Sequence, residues 1–301
     1  MAKICAGRVV VITGAGNGIG RAHALAFAGA GARVVVNDLG GARDGAGSST
    51  AAAETVAAEI RAAGGEAVAN FDDISTWDGA RRLIGQAVER FGRLDTLVNN
   101  AGILRDRTLV GMTEQDWDAV VAVHLKGTAA VLHHAATHWR QRSKAGEEVA
   151  GRVINTTSTS GLYGNPGQSN YAAAKAGIAA LTIGAAQELG RYGVTVNAVA
   201  PAALTRMTED LSVMPGLAAQ HDLAPESVPP VVVWLGSPLS GHVTGRVVTV
   251  FGRRISVAEG WVDGPAAVGA ERWEPETAGE ALDKLVQRAA PNADAFGKRS
   301  E

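Results

Sequence analysis

The chain has 301 residues, enough to bury a substantial core, and a single α/β domain is the expectation. Its 28 basic and 30 acidic side chains give a formal charge of −2, so no global field attracts nucleic acid or a membrane surface, and neither is expected as a partner. The single Cys5 excludes an internal disulfide framework and a thiolate metal cluster, which fits a reducing compartment.

The chain opens on "MAKICAGRVVVITGAG", one short apolar run leading into a glycine turn, without the long apolar core and cleavage site of a signal peptide. It reads as a strand. No apolar run approaches the roughly 20 residues that cross a bilayer, so a soluble, cytoplasmic protein is expected. Strand-like runs follow at 8–13, 32–38, 66–71, 94–100, 151–158, 194–201 and 245–252. Between them lie alanine-rich stretches such as "GRAHALAFAGAGA", with apolar residues at helical spacing and glycine where a helix should stop. Seven short β-branched strands alternating with helices predict a doubly wound, Rossmann-type parallel sheet covered on both faces. The expected organisation is one domain over 1–252 with a C-terminal appendage over 253–301, packed on the same domain or on a neighbouring subunit. "GGARDGAGSST" (40–50) reads as a Gly/Ser-rich loop near any cofactor, and "RQRSKAGEEVAG" (140–151) as a charged surface connection.

"TGAGNGIGRAHALAF" (13–27) follows a strand and opens a helix, the setting a dinucleotide fingerprint requires. Gly14, Gly18 and Gly20 allow a tight turn, close approach of the backbone to a pyrophosphate and close helix packing. Asn17 and Ile19 complete this candidate cofactor loop. Asp38 ends the next strand, where a carboxylate accepts hydrogen bonds from ribose hydroxyls and repels a 2′-phosphate, so NAD is favoured over NADP. Arg43 stands close by in the loop and would offset part of that repulsion.

Hydride exchange between an alcohol and nicotinamide needs a group that moves the hydroxyl proton. Tyr171 in "YGNPGQSNYAAAK" (163–175) supplies a phenol, and Lys175, four residues on along one helix face, supplies the cation that stabilises its phenolate. Ser158, at the end of the preceding strand, is placed to hydrogen-bond the reacting oxygen. By themselves the tyrosine and lysine would read as ordinary helix residues; the glycine turn gives the combination its meaning.

Together, "TGAGNGIG", "NNAG" (99–102), Ser158 and "YAAAK" (171–175) resemble the short-chain dehydrogenase/reductase family over roughly residues 6–252. The resemblance implies a Ser158–Tyr171–Lys175 mechanism in which Tyr171 and Lys175 also touch the cofactor. It further implies cofactor contacts from Asn100, Ala101, Gly102 and Pro201, and an adenine-contacting carboxylate in "FDDIS", with Asp73 the better match and Asp72 the alternative. Two departures stand out. His124, in "VAVHLKGT", occupies the place of the family's usual asparagine, and "PAALTRMTE" (201–209) replaces the usual "PG", so Thr205 is carried over to cofactor contact only weakly.

Within the family, "NNAGILRDR", "VHLKG" and "TRMTE" resemble the (3R)-hydroxyacyl-CoA dehydrogenase domains of peroxisomal multifunctional enzymes and their free-standing bacterial relatives, which share His124. The resemblance implies NAD-dependent oxidation of a 3-hydroxyacyl-CoA, an acyl-CoA or steroid-like substrate, and a homo-oligomer, at least a homodimer. Two alternatives stay open: a hydroxysteroid dehydrogenase acting on a ring alcohol, and a catalytically silent NAD(H)-binding regulator.

His134 and His138 have the spacing of two metal ligands, but no carboxylate accompanies them, so no metal site is assigned. Trp117, Trp139, Trp234 and Trp273 read as core or interface residues. Trp261, in the appendage, is the expected apolar wall of a substrate mouth, with Arg253, Arg254 and Arg272 as candidate phosphate contacts.

Overall fold

The computed structural model describes residues 2–203, 222–294 and 297–299. Its strands are β1 (Val9–Thr13), β2 (Arg33–Asn37), β3 (Glu66–Asn70), β4 (Thr96–Asn99), β5 (Gly151–Thr156), β6 (Val194–Ala202), β7 (Val247–Phe251) and β8 (Arg254–Ala258). They form one sheet in the order β3-β2-β1-β4-β5-β6-β7-β8. The first seven are parallel, and β8 runs antiparallel to β7.

Seven strands were expected, and eight are present among the described residues. The additional one begins inside the stretch read as an appendage. Its residues are mostly exposed, with Ile255 and Val257 open to solvent, so the segment lacks the uninterrupted apolar signature of a buried parallel strand. A strand at the edge of a sheet needs no such signature.

The helices are α1 (Gly18–Gly29), α2 (Ala51–Ala62), α3 (Trp77–Phe91), α4 (Glu114–Val121), α5 (Gly127–Lys144), α6 (Thr159–Tyr163), α7 (Ser169–Leu189), α8 (Pro229–Leu235) and α9 (Pro275–Arg288). Alternate strand residues feed two cores, as the two-residue period of a strand dictates. Val10, Ile12, Val34 and Val36 pack with Phe27 of α1, Ile60 of α2 and Val232 of α8. Val9, Val11, Val35 and Val153 pack on the opposite face with Leu83 of α3, Trp139 of α5 and Ala186 of α7. Strand order reverses between β1 and β4, which opens a crevice at the carboxyl ends of the strands.

Among the described residues no helix is long and apolar enough to cross a membrane.

His23 lies inside the α1 core with neither ring nitrogen hydrogen-bonded, and burial pushes its imidazole down to about 3. A ring held neutral in the fold but free to protonate when unfolded favours the unfolded chain as pH falls below about 6.5, and that loss continues down to the folded value. Wild-type protein should therefore lose roughly 2–3 kcal/mol more between pH 7 and 4.5 than His23→Leu, measured by urea unfolding. Equal losses in the two proteins would show that His23 is not the cause.

Candidate active site

The crevice is a cavity of about 590 Å³, lined from both halves of the sheet. Its floor is set by the turn after β1. Gly14 has φ +63, and a Cβ there would lie 2.7 Å from Ala101 Cα, so only glycine lets the β1 turn and the end of β4 meet. Asn100 fastens the junction, its side chain donating to the carbonyls of Thr13 and Gly14, both at 3.1 Å. Thr13 Oγ1 accepts from the main-chain N–H groups of Asn100 (3.0 Å) and Ala101 (3.1 Å).

At the start of α1, Asn17 makes no side-chain cap and the first turn carries no acidic residue, which leaves the N-terminal amides available to an anion. Asp38 is held at the end of β2 by Gly16 N (2.8 Å) and Gly40 N (2.7 Å). These residues fit a dinucleotide: amides for its phosphates and a fixed carboxylate for ribose hydroxyls. Asp72 is engaged by Arg82 Nε at 2.6 Å, whereas Asp73 accepts from Ser75 N at 2.9 Å; both line the cavity.

The three candidate catalytic side chains converge from the segment after β5 and from α7. Ser158 caps α6, accepting from Ser160 N at 3.2 Å, and stands near enough to Tyr171 to lower its phenol. Lys175 is 3% exposed; its Nζ donates to Thr156 O at 2.6 Å and sits 5.5 Å from the Tyr171 ring centroid. Burial drives both groups toward their neutral forms, raising the phenol to about 12 and lowering the ammonium to about 7, while Ser158 draws the phenol back down. Phenolate and ammonium are therefore each costly alone in this pocket, and each offsets the other when formed together.

His124 sits in a π-helical turn, Ala122–Lys126, between α4 and α5. Such turns recur at functional sites. The ring is buried and meets the Tyr171 ring edge-on at 5.2 Å. Its Nε2 lies 2.8 Å from Ile103 O and 3.0 Å from Ile103 N, and its Nδ1 has no hydrogen-bond partner. Burial, reinforced by the nearby Lys175 charge, pushes this imidazole down to about 3, so it is neutral at physiological pH.

Of the residues singled out from sequence, Gly14, Asn17, Gly18, Ile19, Gly20, Asp38, Asp73, Asn100, Ala101, Gly102, Ser158, Tyr171, Lys175 and Pro201 all line this one cavity. Thr205 lies outside the described residues. Loop 40–50 contributes Gly41, Ala42, Arg43 and Gly45. Trp261 does not reach the cavity and is 98% exposed; Phe251, at the end of β7, lines it instead. Asn165 and Gln168 were missed by the sequence reading although both fall in the quoted "YGNPGQSNYAAAK", because neither amide announces a role without its partners.

A family profile described as short chain dehydrogenase matches residues 8–215. The chain belongs to the short-chain dehydrogenase family. It is therefore an oxidoreductase of a family that works with a nicotinamide dinucleotide. The chain is 46% identical over 256 residues to hydroxyacyl-CoA dehydrogenase ChsB1 of Mycobacterium tuberculosis, covering 83% of this chain and 79% of that protein. It is 42% identical over 287 residues to the peroxisomal multifunctional enzyme type 2 of Mus musculus, covering 95% of this chain but only 35% of that larger protein. The crystal structure of a short chain dehydrogenase from Mycobacterium avium superposes with a TM-score of 0.88 at 53% identity, over 98% of this chain and 100% of that one.

Gly102 is what admits the His124 ring to this dehydrogenase site, since a Cβ there would fall on the ring. Gly102→Ala should therefore lower stability by about 1–3 kcal/mol, the range for an overpacked contact, measured by thermal or urea unfolding. An unchanged midpoint would mean that the ring has room to move.

Proposed function

We propose that this dehydrogenase oxidises a 3-hydroxyacyl-CoA to the 3-oxoacyl-CoA with NAD, by a Ser158–Tyr171–Lys175 mechanism, in the cytoplasm and as a homo-oligomer. The observation that carries the reading is the convergence of those three side chains with the uncapped start of α1 and the fixed Asp38 carboxylate in one cavity. The names of the bacterial and peroxisomal relatives support the acyl-CoA substrate. Asp38, with both oxygens anchored by backbone amides, supports NAD over NADP, because a rigid negative charge beside a ribose disfavours a 2′-phosphate.

Gly14, Asn17, Gly18, Ile19 and Gly20 would hold the pyrophosphate, Asp38 the adenosine ribose, Asp73 the adenine, and Asn100 to Gly102 with Pro201 the remaining length. What a bound nicotinamide supplies is the hydride acceptor.

The chain's own residues manage the proton. Ser158 donates a hydrogen bond to the substrate oxygen and sets it against Tyr171. The Tyr171 phenolate takes the hydroxyl proton as the carbinol C–H bond breaks, leaving a ketone and a neutral phenol. Lys175 stabilises the phenolate that precedes this step, and its hydrogen bond to Thr156 O keeps the ammonium aimed beneath the ring.

Tyr171→Phe keeps the ring and removes the proton acceptor. Turnover of the hydroxyacyl-CoA should fall by about two or more orders of magnitude while NAD still binds, as judged by fluorescence quenching or calorimetry. Retained turnover would remove Tyr171 from the mechanism.

A further inference from the structure

We infer that Arg105 is a positioning residue for the dinucleotide: with Ile103 and Leu104 it seats the tip of the 39–50 loop on the cavity wall, so that the adenosine side of the site is formed before the cofactor arrives. The inference rests on the reading of this cavity as the NAD site.

The loop's composition makes it costly to order. Residues 40–50, "GGARDGAGSST", hold four glycines in eleven positions, and glycine gives up more backbone freedom on ordering than any other residue. The base of the loop is closed by Ser49 N, which donates to Leu39 O at 2.9 Å, and by Gly40 N, which donates to Asp38 Oδ1 at 2.7 Å. Its tip is a tight turn in which Ala42 N donates to Ala46 O at 2.8 Å and Gly45 N to Ala42 O at 3.0 Å. Neither set of bonds decides where the tip lies relative to the cavity.

The segment after the "NNAG" turn decides it, because three of its consecutive residues meet three consecutive residues of the loop. Leu104 N donates to Arg43 O at 3.0 Å, and Arg105 Nε donates to Asp44 O at 2.9 Å. Gly45 completes the seat: its φ is +87, and a Cβ there would lie 3.1 Å from Ile103 Cδ1, so the turn rests closely on that side chain. Gly41, Ala42, Arg43 and Gly45 thereby line the same cavity as Asp38.

That platform is itself fixed. Ile103 is 8% exposed and its main chain lies against His124 Nε2, as described above. Arg105 O accepts from Asn170 Nδ2 of α7 at 3.0 Å, and Arg107 N donates to Gly167 O at 2.9 Å. The guanidinium of Arg105 also donates through Nη1 to Gln115 O of α4 at 3.3 Å. One side chain thus carries the position of α4 and α7 across to the loop.

A loop that samples many positions admits the cofactor only from the fraction of molecules in which it lines the cavity correctly, and the apparent dissociation constant rises as that fraction falls. Seating the tip in advance removes this loss. Releasing one hydrogen bond of the seat corresponds to about a threefold to tenfold change in that constant.

Arg105→Met keeps the stem and removes the donor. ADP-ribose, which has the adenosine and pyrophosphate without the nicotinamide, should bind this variant about threefold to tenfold more weakly than wild type, by calorimetry at about 0.5 M salt, where a distant charge is screened. Trypsin should cut after Arg43 faster in the variant without ligand, and ADP-ribose should slow the cut. Arg105→Lys, which retains a donor, should fall nearer wild type on both readings. Gly45→Ala, whose added methyl group points at Ile103, lifts the turn without touching Arg105 and should reproduce both effects; it decides the question should Arg105→Met fail to fold. A folded variant with wild-type affinity for ADP-ribose overturns the inference, and so does a loss of affinity seen only at low salt. Wild-type protein that binds no ADP-ribose would overturn the dinucleotide reading and the inference with it, a failure the variants alone cannot produce.

Discussion

A buried amine beside a partly enclosed phenol is the constraint on which this site depends. Lys175 is almost inaccessible and Tyr171 is partly enclosed, and both are pushed toward neutrality by the loss of water. A tyrosine base needs the opposite, a phenolate beside an ammonium. That pair persists only where the amine cannot turn away, and the Thr156 carbonyl at the end of β5 prevents it from turning. The main chain around it is fixed in turn, because Thr157 Oγ1 donates to the Lys175 carbonyl at 2.7 Å. Strand and helix therefore hold each other at the lysine beneath the Tyr171 ring.

The rest of the fold delivers the cleft to that pair. Reversal of strand order between β1 and β4 leaves the carboxyl ends of the strands uncovered, and the Gly14–Ala101 approach makes the junction narrow. Asn99 extends the same logic sideways: its Nδ2 donates to Asn155 Oδ1 at 2.9 Å, and Asn155 Nδ2 donates to Thr182 Oγ1 of α7 at 2.9 Å. A line of side-chain hydrogen bonds thus runs from β4 through β5 into the helix that carries Tyr171. The neutral His124 ring stands edge-on beside the phenol, admitted there by Gly102.

Much of this was legible in the sequence because it is local. Runs such as "RVVVIT" have only one way to bury β-branched residues on both faces, a glycine turn between strand and helix fixes the cleft, and a tyrosine four residues before a lysine shares its helix face. What was not legible depends on partners distant in sequence or on exposure. Gln168 accepts from Ser160 and Asn165 and donates to Asp106, 62 residues earlier, partners that no local pattern announces. β8 is an edge strand whose solvent-facing residues hide its period, and Trp261 looked like a pocket wall only because aromatic residues favour pockets. The π-helical turn at His124 has no sequence signature of its own; only the departure from the family's asparagine marked the position.

An acyl-CoA alcohol oxidised with NAD is the reaction proposed for this cavity. The most direct test is the initial rate of NADH formation by the unaltered protein across a panel of 3-hydroxyacyl-CoAs and ring-hydroxylated steroids, with NAD and NADP compared at equal concentration. The value of kcat/KM should be highest for a 3-hydroxyacyl-CoA with NAD, and lower for the same substrate with NADP. Turnover confined to free steroid alcohols, or turnover as fast with NADP as with NAD, would contradict it.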